Sequence, residues 1–256
     1  VQVFDPATGA HLGVVRGLAG AQTVVALPDG GWGAVAELQN RVARVDPVTL
    51  TVTGTILGDD PDTDADEAGP LLHPDSATIG PDGRWYVASF ETDEILRYEA
   101  DGTFVDVFVA AAAGGLDGPD LGVVFVGDEL YVSGWYSDRV HRYDGATGAP
   151  LGDLIGPADG LGNPRQIAVD PAGLVYVTGY ATNGVLRYDP ATGVTARWAT
   201  AIGATGLAID AVAGEVWVGT DSDTVALFDL GSGAALPSRV TFRPLDGVTA
   251  VELLPR

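Results

Sequence analysis

The sequence contains no cysteine and no methionine, and all thirteen of its basic residues are arginine. Without cysteine there is no disulfide scaffold, no thiolate metal site and no cysteine nucleophile. Only three histidines, His11, His73 and His141, are present to supply imidazole chemistry. No apolar run approaches the ~20 residues that a membrane-spanning helix needs, so membrane insertion is not expected. Thirty-five acidic residues against thirteen basic ones leave a net charge of −22. That charge repels phosphate backbones and anionic membrane surfaces, which sets nucleic acid aside as a partner. It suits a cationic ligand, a basic partner or solubility in a salty medium. No G-x-S-x-G elbow, P-loop or H-E-x-x-H motif occurs. The glycine-rich stretch 115–122 leads into a strand pattern rather than a helix, so it has no phosphate-cradling logic.

What is plentiful is glycine, at 36 residues, and proline, at 16, within a chain that is 46% hydrophobic. This mix argues for a large core and many tight turns, and against disorder. The turns fall at regular intervals. VLRYDPATG at 185–193 recurs as VQVFDPATG from Val1, VARVDPVTL from Val42 and ILRYEADGT from Ile95, then as VHRYDGATG from Val140 and VALFDLGSG from Val225. The acidic residue falls at Asp5, Asp46, Glu99, Asp144, Asp189 and Asp229, spaced by 41, 53, 45, 45 and 40 residues. Six copies imply six similar units.

Each unit reads as four short strands joined by turns rich in Gly, Asp and Pro. A four-stranded meander cannot bury both faces alone, so the units are expected to stack around an axis. The expected fold is therefore all-β: one domain, residues 1–256, forming a six-bladed β-propeller of four-stranded antiparallel blades. The ring is expected to close by N- and C-terminal strands sharing one blade, with 246–254 as a first strand and Val1–Val15 as the third and fourth. That closing unit is about ten residues short. Either it has three strands, or one was lost, or a neighbouring chain supplies it, and an unpaired edge there invites self-association. The start at Val1, in mid-repeat and without Met or a signal peptide, predicts a processed or trimmed chain.

In this topology the residues entering the first strands ring the channel mouth: Gln22, Asp75, Asp120, Arg165, Thr205 and Asp246. Converging carboxylates and an arginine suit a polar ligand or a hard cation, calcium or another divalent ion, on Asp75, Asp120 and Asp246. The second-to-third strand loops open on the same face and bring Phe90, Trp135, Tyr136 and Tyr180. Rings interleaved with Asp and Asn suit a protein, peptide or carbohydrate ligand. The acidic insertion at 58–70 alternates Asp60, Asp62, Asp64 and Asp66, a second candidate calcium loop that lacks the usual turn glycine and distal Glu. Arg44, Arg97, Arg142 and Arg187 share one repeat column and are expected to form ion pairs, between blades or with edge carboxylates. His141 falls in a packing column of the third strand.

Stretches such as GPDGRWYVASFETDEILRYEADGTF (80–104) and ELYVSGWYSDRVHRYDGATGAPLG (129–152) resemble NHL repeats, the YVTN family, and the streptogramin-lyase-like and SMP-30/gluconolactonase-like propellers. The resemblance implies an extracellular, periplasmic or cell-surface protein. It does not imply one activity, because the fold hosts enzymes, binders and scaffolds. The paired histidines of streptogramin-lyase-like enzymes are missing, and only His73 can lie near the mouth. The Glu, Asn and Asp trio of the gluconolactonase-like metal site is not found in order. The leading expectation is a binding or assembly module acting through the mouth face. The alternatives are a metal-dependent lactonase or lyase, with His73 as acid or base and Arg165 steadying an anionic substrate, and a filament or surface-assembly subunit.

Overall fold

A computed structural model describes residues 1–58, 70–238, 240 and 248–253. Among them, the strands form five four-stranded antiparallel sheets and one two-stranded sheet. The short sheet pairs β1 (Gln2–Phe4) with β2 (His11–Val14). Blade I contains β3 (Ala21–Ala26), β4 (Trp32–Ala36), β5 (Arg41–Asp46) and β6 (Thr51–Gly58). Blade II contains β7 (Pro74–Ile79), β8 (Trp85–Ser89), β9 (Glu94–Tyr98) and β10 (Phe104–Val109). Blade III contains β11 (Pro119–Val126), β12 (Glu129–Gly134), β13 (Arg139–Asp144) and β14 (Pro150–Ile155). Blade IV contains β15 (Pro164–Val169), β16 (Val175–Gly179), β17 (Gly184–Asp189) and β18 (Val194–Thr200). Blade V contains β19 (Ala204–Asp210), β20 (Glu215–Thr220), β21 (Val225–Asp229) and β22 (Ala235–Leu236). Within each blade the strands pair in chain order.

The blades stack radially because the two middle strands are apolar on both faces. Val35, Val42, Val87, Leu96, Val132 and Val177 are all fully covered. The apolar clusters lie between sheets rather than within them. One joins Val35 and Val42 to Trp85 and Leu96, and the next joins Tyr86 and Phe108 to Val123 and Leu130. Each such side chain contributes roughly 1.5–3 kcal/mol on burial, so the sheets are stable only as a ring. The ring meets its own beginning. Phe4, Val248, Val251 and Leu253 pack on Trp217 of blade V, and Val1 and Val3 pack near Val24 and Val45 of blade I.

This corrects the expected closure in two respects. Among the described residues five sheets have four strands, not six, and the N-terminal strands form only a two-stranded sheet. The stretch 248–253 carries no strand assignment, although Thr249 Oγ1 donates to Ala21 O and so ties the two ends of the chain together. Its backbone comes so close to blade V that a Cβ on Gly206 would sit 2.5 Å from Val251 N.

The face opposite the mouth is built from repeated turns. Asp5, Asp46 and Asp144 each accept from the backbone N–H groups two and three residues on, at 2.8–3.2 Å, and Asp189 and Asp229 cap their turns in the same way. Three of the four arginines of the column pair within their own blades rather than between them: Arg44 with Asp29, Arg97 with Asp106 and Arg142 with Glu129.

Candidate functional site at the channel mouth

The five described inner strands begin alike. The residue before each, Gly20, His73, Gly118, Asn163 or Gly203, has positive φ. Its carbonyl accepts from the first residue of the blade's own loop, Glu37, Phe90, Trp135, Tyr180 or Asp221, at 2.7–3.1 Å. In four cases its N–H is also claimed by the previous blade: Asn40, Asp93, Asp138 and Asn183 accept from His73, Gly118, Asn163 and Gly203 at 2.7–3.1 Å. These clasps knit the mouth into one frame. Immediately afterwards each inner strand slips register against its neighbour, between Ala21 and Val24, Pro74 and Ser76, Pro119 and Val123, Pro164 and Ile167, and Ala204 and Leu207. Gln22, Asp75, Asp120, Arg165 and Thr205 all fall inside these bulges, which re-aim a side chain away from the regular pleat. Buried hydroxyls satisfy the backbone N–H groups that the bulges leave without a strand partner: Ser133 Oγ accepts from Gly122 N at 2.9 Å and Thr178 Oγ1 from Gln166 N at 3.0 Å.

Three of the six expected mouth residues converge. Arg165 donates to both Asp120 oxygens, from Nε at 2.9 Å and Nη2 at 3.2 Å, and Asp120 is only 1% exposed. The guanidinium also lies 5.2 Å from the centre of the Trp135 ring, and Trp135 meets Tyr180 at 5.6 Å. Tyr180 donates to Asp221 at 2.9 Å. Asp75, in the adjacent blade, is 5% exposed, and its Oδ1 has no hydrogen-bond partner. Burial, then the Asp120 and Glu37 charges, push the Asp75 carboxyl up to about 9. Burial also raises Asp120 while Arg165 pulls it back. Because Arg165 grips Asp120, the proton of this pair belongs on Asp75.

The remaining expected residues are distributed around this group. Gln22 turns to Glu37, donating at 2.5 Å, and its Oε1 is buried without a partner. Thr205 donates to Val248 O and is a closure residue rather than a ligand-facing one. Phe90 and Tyr136 pair at 5.6 Å, leaving Tyr136 61% exposed. His73 Nδ1 stands 3.7 Å from Glu37 and 3.9 Å from Glu91. Asp246, Asp60, Asp62, Asp64 and Asp66 lie outside the described residues. The carboxylates that are described do not fit a divalent cation as they stand. Arg165 occupies both Asp120 oxygens, Asp75 holds a proton at neutral pH, and among the described residues no three His, Asp or Glu side chains are grouped to hold a metal.

Sequence reading missed three contributors. Glu37 and Glu91 belong to the loop column but are not aromatic, so they did not stand out beside Trp135 and Tyr180. Glu252 lies in the closing segment, where the repeat gives no guide. It projects into a channel of about 380 Å³ lined by Thr23, Ser76, Leu121, Gln166 and Leu207. Gln166 Nε2 donates to it at 2.5 Å, while Gln166 Oε1 accepts from Leu207 N and Val251 N. The carboxyl is open to the hollow channel yet surrounded by protein, and this desolvation pushes it up to about 8.

One further constellation looks chemical and is structural. His141 Nε2 lies 2.8 Å from Ser137 Oγ and its Nδ1 3.1 Å from Asp153, the residue types of a nucleophilic triad. His141, however, is 1% exposed, burial lowers its basicity, and Ser137 Oγ donates back to Gly134 O. Thr92 makes the same backbone bond to Ser89 O in blade II, so the hydroxyl belongs to the loop design.

No family model matches the chain, and no curated protein matches it. Among solved structures it is similar to U3-55K, with a TM-score of 0.63 and 16% identity over 87% of this chain and 65% of that one. A catalytically inactive virginiamycin B lyase from Staphylococcus aureus, solved with quinupristin, gives a TM-score of 0.58 and 14% identity over 85% of this chain and 68% of that one. A computationally designed protein, Ika8, gives 0.54 and 14% over 91% and 65%. The chain thus spans about two thirds of each of these structures. At such identities the likeness is one of fold, and the fold it shows is an all-β propeller of four-stranded antiparallel blades.

Proposed function

We propose that this chain is a binding module: an NHL-like propeller of six units, carried outside the cell or at its surface, that takes a protein, peptide or carbohydrate ligand on the mouth face. The observation that supports this reading is the Asp75–Asp120–Arg165–Trp135 group. It places buried polar atoms beside the half-buried Trp135 ring in a frame fixed by inter-blade hydrogen bonds. Pre-organisation of this kind lowers the cost of binding. The test is a screen of glycan and peptide arrays with the native chain, followed by Trp135→Ala and Tyr180→Ala. Ligands of the mouth are expected to bind at least about tenfold more weakly to these variants, as hot-spot aromatics do. Retention of every interaction by both variants would overturn the assignment.

A second reading, a lyase or lactonase dependent on calcium or another divalent cation, draws on the fold likeness to virginiamycin B lyase and on His73 standing between Glu37 and Glu91. Elemental analysis of the purified chain decides it, together with turnover of lactone substrates by the native protein and by His73→Ala. A third reading, a self-assembling subunit completed at the two-stranded closing sheet, requires association in sedimentation at high concentration.

A further inference from the structure

Two buried acceptors at the mouth have no donor. Gln22 Oε1 in blade I and Asp75 Oδ1 in blade II are both without a hydrogen-bond partner, and Asp75 is 95% buried by its 5% exposure. Their positions correspond: each occupies the bulge one residue into an inner strand, and Thr23 Oγ1 donates across to Asp75 O at 3.3 Å. An unmatched buried acceptor is destabilising, so two at matching positions of adjacent blades call for a donor-bearing ligand. The surroundings fix its sign. Glu37 receives Gln22 and faces His73, whose other neighbour is Glu91. Among the described residues, Arg165 is committed to Asp120 and Trp135, although its charge also reaches Asp75. At their bulges blades I and II therefore present acceptors and negative charge: the Arg41 guanidinium of blade I is taken up by Thr55 Oγ1, Gly17 O and Gln39 Oε1, and Arg44, Arg84 and Arg97 pair with Asp29, Glu99 and Asp106, while Phe90, bonded through its N–H to His73 O, and Tyr136 supply apolar rings.

We infer that this sector of the mouth binds a primary ammonium on an aliphatic stem, the amine seated on Gln22 Oε1, Asp75 Oδ1 and Glu37 and the stem lying toward Phe90 and Tyr136. An ammonium offers three N–H donors to several oxygens at once, whereas a divalent ion requires a carboxylate set that the described residues do not group together. The inference rests on the proposed mouth-face binding and names the ligand class.

The experiment is calorimetric titration of the full chain in about 0.15 M salt, which screens diffuse attraction to the negative surface. The probes are 1,5-diaminopentane, N-acetyl-lysine amide, its Nε-acetylated counterpart and calcium chloride. N-acetyl-lysine amide is expected to bind roughly tenfold or more tightly than the uncharged acetylated form, with Asp75→Leu and Gln22→Met, which remove the two acceptors, each weakening it by a similar factor. Asp101→Asn, which removes a carboxylate from a turn on the opposite face, is expected to change nothing, and the variants' circular dichroism verifies their folding. Diaminopentane binding with no lysine-amide binding would mark a free polyamine rather than a peptide side chain as the source, and supports the inference. Equal affinity for charged and acetylated probes, full retention by Asp75→Leu and Gln22→Met, or competition by millimolar calcium would overturn it. If the arrays yield an uncharged ligand lost in Trp135→Ala, the mouth-face reading stands and the ammonium inference alone fails.

Discussion

The two faces of this propeller use the same chain rhythm for opposite ends. On the turn face, one acidic column does one job repeatedly: Asp5, Asp46, Asp144, Asp189 and Asp229 fold back on nearby backbone N–H groups, and those bonds hold their carboxyls below the usual range at Asp46, Asp144, Asp189 and Asp229. On the mouth face the backbone is just as repetitive, with its positive-φ entry residue, clasp and bulge, but the bulge side chain changes from Gln22 to Asp75, Asp120, Arg165 and Thr205. Where side chains build the frame they are alike. The bulge side chains make none of the clasp bonds, which the Asn and Asp side chains of the loops supply, so they are free to differ, and chemistry collects there.

The largest expected effect tests the mouth. Arg165→Met leaves Asp120 buried and unpaired, and is expected to cost about 3–5 kcal/mol in urea unfolding. Adding Asp120→Leu should restore most of that loss. Equal stability of the single and double variants would mean that the pair is not the locked unit described here. A smaller effect belongs to the turn face. A Cβ on Gly102, at φ 89°, would lie 1.9 Å from Ile56 O, whereas one on Gly83 meets nothing. Gly102→Ala should therefore lose about 1–3 kcal/mol, and more than Gly83→Ala, by thermal or chemical unfolding.

The subtlest contrast is in pH. Asp75 at about 9 and Glu252 at about 8 hold protons in the folded state that the unfolded chain has released. Their stabilisation is full below the ordinary carboxylate range and lost as pH rises through 8–9. The turn carboxyls run the other way: their contribution is present above the ordinary value and lost as pH falls through their lowered ones. Unfolding free energies measured from pH 4 to 10 should thus show Asp75→Asn flattening the alkaline decline, while Asp144→Ala alters only the acid limb. An unchanged alkaline slope in Asp75→Asn would place the proton elsewhere.

Much of this was legible because the repeat is written in residue types with local consequences. Asp followed two or three residues on by a free N–H makes a turn wherever it stands, so the turn face could be read from Asp189 alone. The aromatic loop column also placed Trp135 and Tyr180 together before any coordinates did. What could not be read was pairing across blades. That Arg165 reaches Asp120, 45 residues away, depends on two bulges facing each other, and a register slip leaves no mark in composition. His73 looked like a catalytic candidate because it is the sole histidine near the mouth, yet its backbone occupies the same left-handed entry position as Gly20, Gly118 and Gly203. The closing sector was misjudged for a related reason: with no full repeat to copy, its strands had no template, and Glu252 was invisible as a channel residue.

By itself the sequence determined that the chain is built from like units that cannot shield their own faces, since apolar runs and turn residues act within a few positions of where they are written. Only the tertiary structure decided which side chains meet at the axis, which carboxyl keeps its proton and how the two ends of the chain are joined. Those outcomes depend on distances between segments tens to hundreds of residues apart, and on the loss of water that follows when the ring closes around them.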